Sequence, residues 1–190
     1  MIPKEVWKGG NLLYPIPAVM VSCGRPGERP NILTVAWAGT VCSAPPMVSV
    51  SVRKERFSHA ILRETGEFVI NLVPSGLTAA ADGCGVVSGR NTDKFARFGL
   101  TPELCDKLKS APAIAECPVN LECRVTQILE LGSHDMFLAT VEAVRVRKDL
   151  IDENGRLDLN RADLMVYSHG EYFRLGELLG SFGWSVRKKA

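Results

Sequence analysis

Residues 31–59 read NILTVAWAGTVCSAPPMVSVSVRKERFSH, and the reading of this stretch decides how the rest of the chain is organised. From Ile32 to Val41 one parity is bulky and apolar (Leu33, Val35, Trp37, Val41). The other, Ile32 apart, is small or hydroxylic (Thr34, Ala36, Ala38, Thr40). Alternation with period two predicts a strand with one face in a core and a second face low enough for a flat group to approach the backbone. Pro45-Pro46 fixes backbone dihedrals, so residues 39–46 are expected to form a stiff loop. A partner strand follows from Met47 to Arg53, with Val48, Val50 and Val52 on one face and Ser49, Ser51 and Arg53 on the other.

Arg56, Ser58 and His59 come next, and Ser58 is the expected N-cap of a short helix through Ile61 and Leu62 that stops at Gly66. Free N–H groups at a helix start, with two arginines and several hydroxyls, suit a phosphate. The same pattern also fits a half-buried strand with a solvated polar face and an ordinary cap.

Working outward, 190 residues allow a single domain with a real core, expected to span 1–190. Lys and Arg number 23 against 21 Asp and Glu, which argues against a nucleic-acid or anionic-membrane surface. The basic end, Arg187-Lys188-Lys189, reads as a solvated terminus. No apolar run reaches the roughly 20 residues that span a bilayer, and the N-terminus lacks the apolar core of a secretory signal, so a cytoplasmic protein is expected. Six cysteines are scattered in apolar segments without a CxxC pair, as buried reduced thiols would be; with three distant histidines, no metal site is expected.

Ala18 to Cys23 reads as a first strand and Glu67 to Val73 as another, with Ser75 capping a second short helix over Thr78 to Asp82. Ser88-Gly89-Arg90 gives a flexible turn beside a cation, with Lys94 one helical turn on. A plain solvated loop fits those residues equally well. Residues 100–118 read as a connector, Val119 to Thr126 as a strand, and Gly132-Ser133-His134-Asp135 as the turn of a hairpin that continues over Met136 to Val146. A further short strand is expected over Leu164 to Tyr167, and the apolar, Gly-punctuated tail from Tyr172 to Trp184 is expected to dock onto something. Many short strands and brief helices predict an antiparallel barrel or sandwich with small helical insertions; the absence of GxGxxG argues against a doubly wound sheet.

Taken together these pieces resemble the flavin reductase-like family, the FMN-binding split barrels that include flavoredoxin. The resemblance rests on Asn31-x-x-Thr34-x-Ala36-Trp37, Pro45-Pro46, the Ser49 to Arg53 strand and Arg56-Phe57-Ser58-His59. It continues through Glu67 to Asn71, Ser88-Gly89-Arg90 with Asp93-Lys94-Phe95, Gly132-Ser133-His134, and Leu175-Gly176 to Gly180. It implies a mainly β, antiparallel Greek-key split barrel with short helical insertions that forms a homodimer, with one FMN per subunit near the dimer interface. By the same resemblance Asn31, Thr34 and Ala36, with Trp37 and the backbone around Val41, Cys42 and Ser43, lie along the isoalloxazine and ribityl. Ser51, Val52, Arg53, Arg56, Ser58 and His59 hold the ribityl and phosphate, and Ser88, Gly89, Arg90 and Lys94 close over the phosphate. His134 is placed near the flavin face where a nicotinamide would stack; relatives carry Gly-Asp-His in this turn, whereas here Ser133 precedes the histidine and Asp135 follows it.

Two functions then follow from the resemblance: an NAD(P)H-dependent flavin oxidoreductase, or a flavoredoxin-like electron carrier that exchanges electrons with a redox protein partner. A third class, a structural barrel without cofactor, stays open on the residues alone.

Overall fold

The computed structural model describes residues 1–187; Lys188 and Lys189 of the basic tail lie outside the described residues. In chain order come β1 (Ile16–Pro17), β2 (Val19–Cys23), β3 (Asn31–Val35), β4 (Ala38–Ser43), β5 (Pro46–Arg53), α1 (Phe57–Thr65) and β6 (Glu67–Leu72). A 3-10 turn, Ser75–Leu77, then runs into α2 (Thr78–Val86), followed by α3 (Lys94–Phe98), β7 (Pro102–Glu103) and β8 (Ala113–Ile114). The long hairpin β9 (Val119–Glu130) and β10 (His134–Val146) precedes a small one, β11 (Met165–Ser168) and β12 (Glu171–Arg174). Seven strands form one antiparallel sheet in the order β3-β2-β6-β9-β10-β5-β4, while β1 joins the small hairpin as β1-β11-β12. The fold is mainly β and antiparallel, as the spacing of strand and turn signals requires.

The large sheet curls until its two ends share a core. Leu33 and Val35 of β3 pack in one cluster with Val48, Val50 and Val52 of β5, together with Phe68, Phe137 and the buried side of α1, Ile61 and Leu62. Burial of each such side chain is worth about 1.5–3 kcal/mol, so closure is favoured along the whole seam. On the other side of β2 and β3, Met20 and Ile32 pack with Ala81 and Cys84 of α2 and Phe95 of α3. Strand β2 is therefore covered on both faces, and all five of its residues are buried.

The stretch read as a single strand from Ile32 to Val41 is two strands broken at Ala36–Trp37. β3 pairs with β2 at one edge of the sheet and β4 with β5 at the other, so the chain must cross the seam between them. The alternation fails accordingly: Trp37 and Val41 are about half exposed, while Ile32, on the side read as low and polar, is fully buried. The loop expected over residues 39–46 is mostly β4, with Ala44–Pro45 as the turn.

Two caps also differ. α1 starts at Phe57 with Arg56 as its N-cap, and Ser58 lies inside the first turn, where its buried hydroxyl accepts a hydrogen bond from Asn31 Nδ2 instead of closing the helix end. Ser75 begins the 3-10 turn and does not cap α2, which runs on to Val86. Gly66 ends α1 as expected, at φ 64°. Of the tail expected to dock, Tyr172 to Arg174 do so as β12 against β11, with Tyr172 packed on the core beside α2, whereas Leu178, Leu179, Phe182 and Trp184 beyond them are exposed.

One buried amide fixes how the connector lies on the barrel. Asn71 Nδ2 donates to Met20 O and Ser22 Oγ, both at 2.9 Å, while its Oδ1 accepts from Ile114 N at 2.9 Å and Asn120 Nδ2 at 2.8 Å. Asn71→Leu leaves those donors facing a methyl group at about 1–3 kcal/mol each, so urea unfolding should show a loss of about 2–5 kcal/mol with an unchanged m-value. A midpoint equal to that of the parent chain would remove Asn71 from this role.

Candidate functional site

A groove runs along the seam where the chain crosses from β3 to β4, as three hollows that share walls. The first, about 260 Å³, is lined by Asn31, Leu33, Arg56, Phe57, Ser58, Ser88, Gly89 and Lys94, among others. The second, about 250 Å³, is lined by Leu33 to Trp37, Ser51 to Arg53, Arg56, Asp82, Gly85, Val86, His134, Tyr167 and Tyr172. The third, about 330 Å³, takes in Ala36 to Val41, Ser49, Ser51 and Met136, with Asn11, Leu13 and Tyr14 of the N-terminal arm. Leu33 and Arg56 join the first to the second; Ala36, Trp37 and Ser51 join the second to the third.

The first hollow is built to hold polar groups in place. Asn31 Nδ2 donates to Ser58 Oγ at 2.7 Å, which locks β3 to the start of α1. Gly89 presses directly on that pair: a Cβ there would lie 2.1 Å from Asn31 Oδ1, so only glycine lets the 87–90 loop approach so closely. Arg29 Nη2 donates to Gly89 O at 3.2 Å and holds the loop from outside. Beneath it, Lys94 is 2% exposed, and its Nζ donates to Ile32 O and Cys84 O, each at 2.7 Å. No carboxylate forms an ion pair with it among the described residues. Burial pushes the Lys94 ammonium down to about 8; the neighbouring thiol of Cys84 opposes that and the charge of Arg56 adds to it.

The second hollow has a flatter wall. Ala36 and Ser51 are low, Thr34 Oγ1 donates to Ala81 O and so turns its polarity away, and Trp37 and His134 stand together with ring centroids 5.7 Å apart. Ser133 Oγ lies 2.8 Å from His134 Nδ1, fixing how the ring sits in the hairpin turn. Arg53 is paired across the sheet with His134 and reaches Glu55 at 3.4 Å. On the far side Tyr172 donates to Asp82 Oδ1 at 3.0 Å; burial first, then that carboxylate, pushes the phenol up to about 12, so Tyr172 stays a donor at neutral pH.

Most of the residues singled out in the sequence meet along this one groove: Asn31, Arg56, Ser58, Ser88, Gly89 and Lys94 at one end, Thr34, Ala36, Trp37, Ser51, Val52, Arg53 and His134 in the middle, and Val41 at the other end. Four do not line it. Cys42 and Ser43 pair with Met47 and Pro46 at the turn of the β4–β5 hairpin, the opposite end from Ser51 and Arg53. The His59 ring is taken up by Asp135, at 2.8 Å, and packs edge-on to Phe137. Arg90 places its guanidinium 5.7 Å from the Phe57 ring centroid. Conversely, Asp82, Gly85, Tyr167 and Tyr172 line the groove without a signal in the local sequence, because α2 and the β11–β12 hairpin reach it only through the tertiary fold.

No helix of the described residues is long and apolar enough to cross a membrane, and none of their His, Cys, Asp and Glu side chains gather in threes around a metal-sized space.

Comparison with known proteins agrees with this geometry. The chain is similar to flavoredoxin of Desulfovibrio vulgaris (Miyazaki F), with a TM-score of 0.89, 32% identity, and coverage of 97% of this chain and 100% of that one. It has the fold of a putative flavin reductase with split barrel domain from Shewanella frigidimarina NCIMB 400, at a TM-score of 0.80 and 18% identity over 90% of this chain and 86% of that one. In sequence it is 27% identical over 154 residues, 80% of this chain and 67% of the relative, to an FMN reductase (NADH) of Methylorubrum extorquens. The family model described as the flavin reductase like domain matches residues 12–176, which span all twelve strands and every groove-lining residue named above except Asn11, and the chain belongs to that family.

Proposed function

We propose that the groove binds FMN and that the protein is a flavin-dependent oxidoreductase of the NAD(P)H:flavin type. The observation that carries this reading is the buried ammonium of Lys94, without a carboxylate partner among the described residues, at the floor of a polar hollow that opens onto a low, flat wall. A doubly charged phosphate supplies the missing anion, and a planar ring system suits the wall between Ala36, Ser51 and Trp37. Asn31, Ser58, Ser88 and Arg56 would hold the phosphate end with Lys94, and Arg53, Trp37 and His134 would flank the ring. Bound FMN supplies the redox chemistry; the chain binds and orients it, and the exposed side of the second hollow leaves room for a nicotinamide beside His134.

The likeness to flavoredoxin, at 32% identity, favours a second reading in which a redox protein partner replaces the nicotinamide. Purified protein is expected to carry a flavin absorbance spectrum that NADH or NADPH bleaches in stopped flow. A colourless preparation that takes up no FMN would overturn the binding, and bleaching by a reduced protein donor but by neither nicotinamide would decide for the carrier.

Lys94 sets a pH dependence. In the free groove its ammonium is lost as pH rises through about 8, whereas a bound phosphate raises that value, so FMN binding above pH 8 takes up a proton. FMN affinity should therefore hold steady from pH 7 to 7.5 and fall by up to about tenfold per pH unit above 8. Riboflavin affinity should not follow it. Lys94→Met should weaken FMN and flatten this pH profile; a profile unchanged in that variant removes Lys94 from the phosphate.

The reading includes a homodimer. The N-terminal arm exposes Val6, Trp7, Leu12 and Leu13, and its Leu13 and Tyr14 help to wall the third hollow, so an apolar arm lies beside an open end of the groove. Sedimentation equilibrium should return twice the chain mass, falling to one after removal of residues 1–10; a monomer at micromolar concentration in the full chain would end this part of the reading.

A further inference from the structure

Asp135 is wholly buried, yet it collects positive groups from two elements. Its Oδ2 accepts from His59 Nε2 at 2.8 Å and from Arg63 Nη1 at 3.2 Å, both on one face of α1. Its Oδ1 lies 3.4 Å from Lys54 Nζ in the turn between β5 and α1, an ion-pair distance, and accepts no hydrogen bond. Arg63 also reaches Glu130 at 2.8 Å, so the cluster is tied to β9 as well.

We propose that Asp135 is a positioning residue for the anion end of the groove, clamping the corner that carries Arg53 and Arg56 to the strand start that carries His134. The proposal rests on the FMN reading for its ligand and on the clamp's own geometry for its mechanism. Four cations, Arg53, Lys54, Arg56 and Arg63, fall within eleven residues of sequence that hold one carboxylate, Glu55, which reaches Arg53 at 3.4 Å, so the remaining positive charges repel one another unless a second carboxylate joins them. A carboxylate beneath the corner draws Lys54 and Arg63 inward and leaves Arg53 and Arg56 to face the groove. An apolar residue beside Phe137 would avoid the cost of burying a charge whose second oxygen is only partly satisfied, so packing alone does not account for an aspartate here. The clamp also acts on both walls at once: His134 pairs across the sheet with Arg53, and Asp135 with Val52.

The test compares FMN and riboflavin affinity by flavin fluorescence on the full chain. Removing a negative charge near a phosphate would, by electrostatics alone, tighten FMN. The clamp gives the opposite sign: Asp135→Asn should weaken FMN by about tenfold or more, as expected when one charge-assisted hydrogen bond or more is displaced, with riboflavin changed by less than about threefold. His59→Gln, which keeps an N–H donor, should stay near the parent chain, and His59→Leu should fall with Asp135→Asn. That pair serves also if the aspartate variant fails to fold. FMN affinity unchanged or tighter in Asp135→Asn, or an equal loss of FMN and riboflavin, overturns the proposal. Amide exchange over residues 53–59, read without ligand, should rise in Asp135→Asn and in His59→Leu; unchanged exchange overturns the clamp even if no flavin binds, whereas absence of FMN binding by the parent chain strikes the functional reading.

Discussion

The constraint on which the rest depends is that two strands adjacent in the chain, β3 and β4, must reach opposite edges of the same sheet. Only the bend at Ala36–Trp37 separates them, so the chain steps directly across the seam where the curled sheet closes. The backbone at the crossing cannot pair on both sides at once, and it leaves an open strip floored by Ala36 and Ser51 and edged by Trp37. The groove is thus a product of the topology: the sheet gains its shared core of Leu33, Val35, Val48, Val50 and Val52 by leaving this strip uncovered.

That origin explains which parts of the molecule were legible in the sequence. Alternation in Met47 to Arg53 and the glycine stop at Gly66 are local and lie where their spacing put them, and the hairpin read with its turn at residues 132–135 is present, although β10 already begins at His134 and takes in Asp135. The break at Ala36–Trp37 was not legible, because Ala36-Trp37-Ala38 carries no turn residue and fits the strand period on either side. What decides it is the pairing of β3 with β2 and of β4 with β5, both nonlocal with respect to the bend.

The same distinction runs through the groove. Asn31, Ser58, Gly89 and Lys94 are far apart in sequence, and it was the family resemblance, not spacing, that put them together; the structure shows what holds them there, a chain of contacts from Gly89 to Asn31 to Ser58 over the Lys94 ammonium. His59 shows the limit of reading from a motif. It follows Ser58 directly, but successive residues of a helix point about 100° apart, so when Ser58 faces Asn31 the imidazole turns toward β10 and Asp135. Arg90 and Ser88 part in a similar way: Ser88 lines the hollow, whereas Arg90, two residues on, does not line it and lies over the ring of Phe57.

The two buried charges beside the groove are held in opposite ways, and the difference bears on what each is for. Asp135 finds its counter-charges within the chain, with His59 and Arg63 on one oxygen and Lys54 at 3.4 Å from the other, so its charge is balanced by neighbouring side chains although Oδ1 accepts no hydrogen bond. Lys94 has two carbonyl oxygens and no formal counter-charge among the described residues, so part of the cost of burying its ammonium is not compensated by a carboxylate there. A scaffold selected only for stability would fill that position with an apolar side chain. An ammonium that burial pushes toward neutrality, in a hollow lined also by Ser88 and Gly89, is what the proposed FMN reading uses: its phosphate would be the partner from outside the chain.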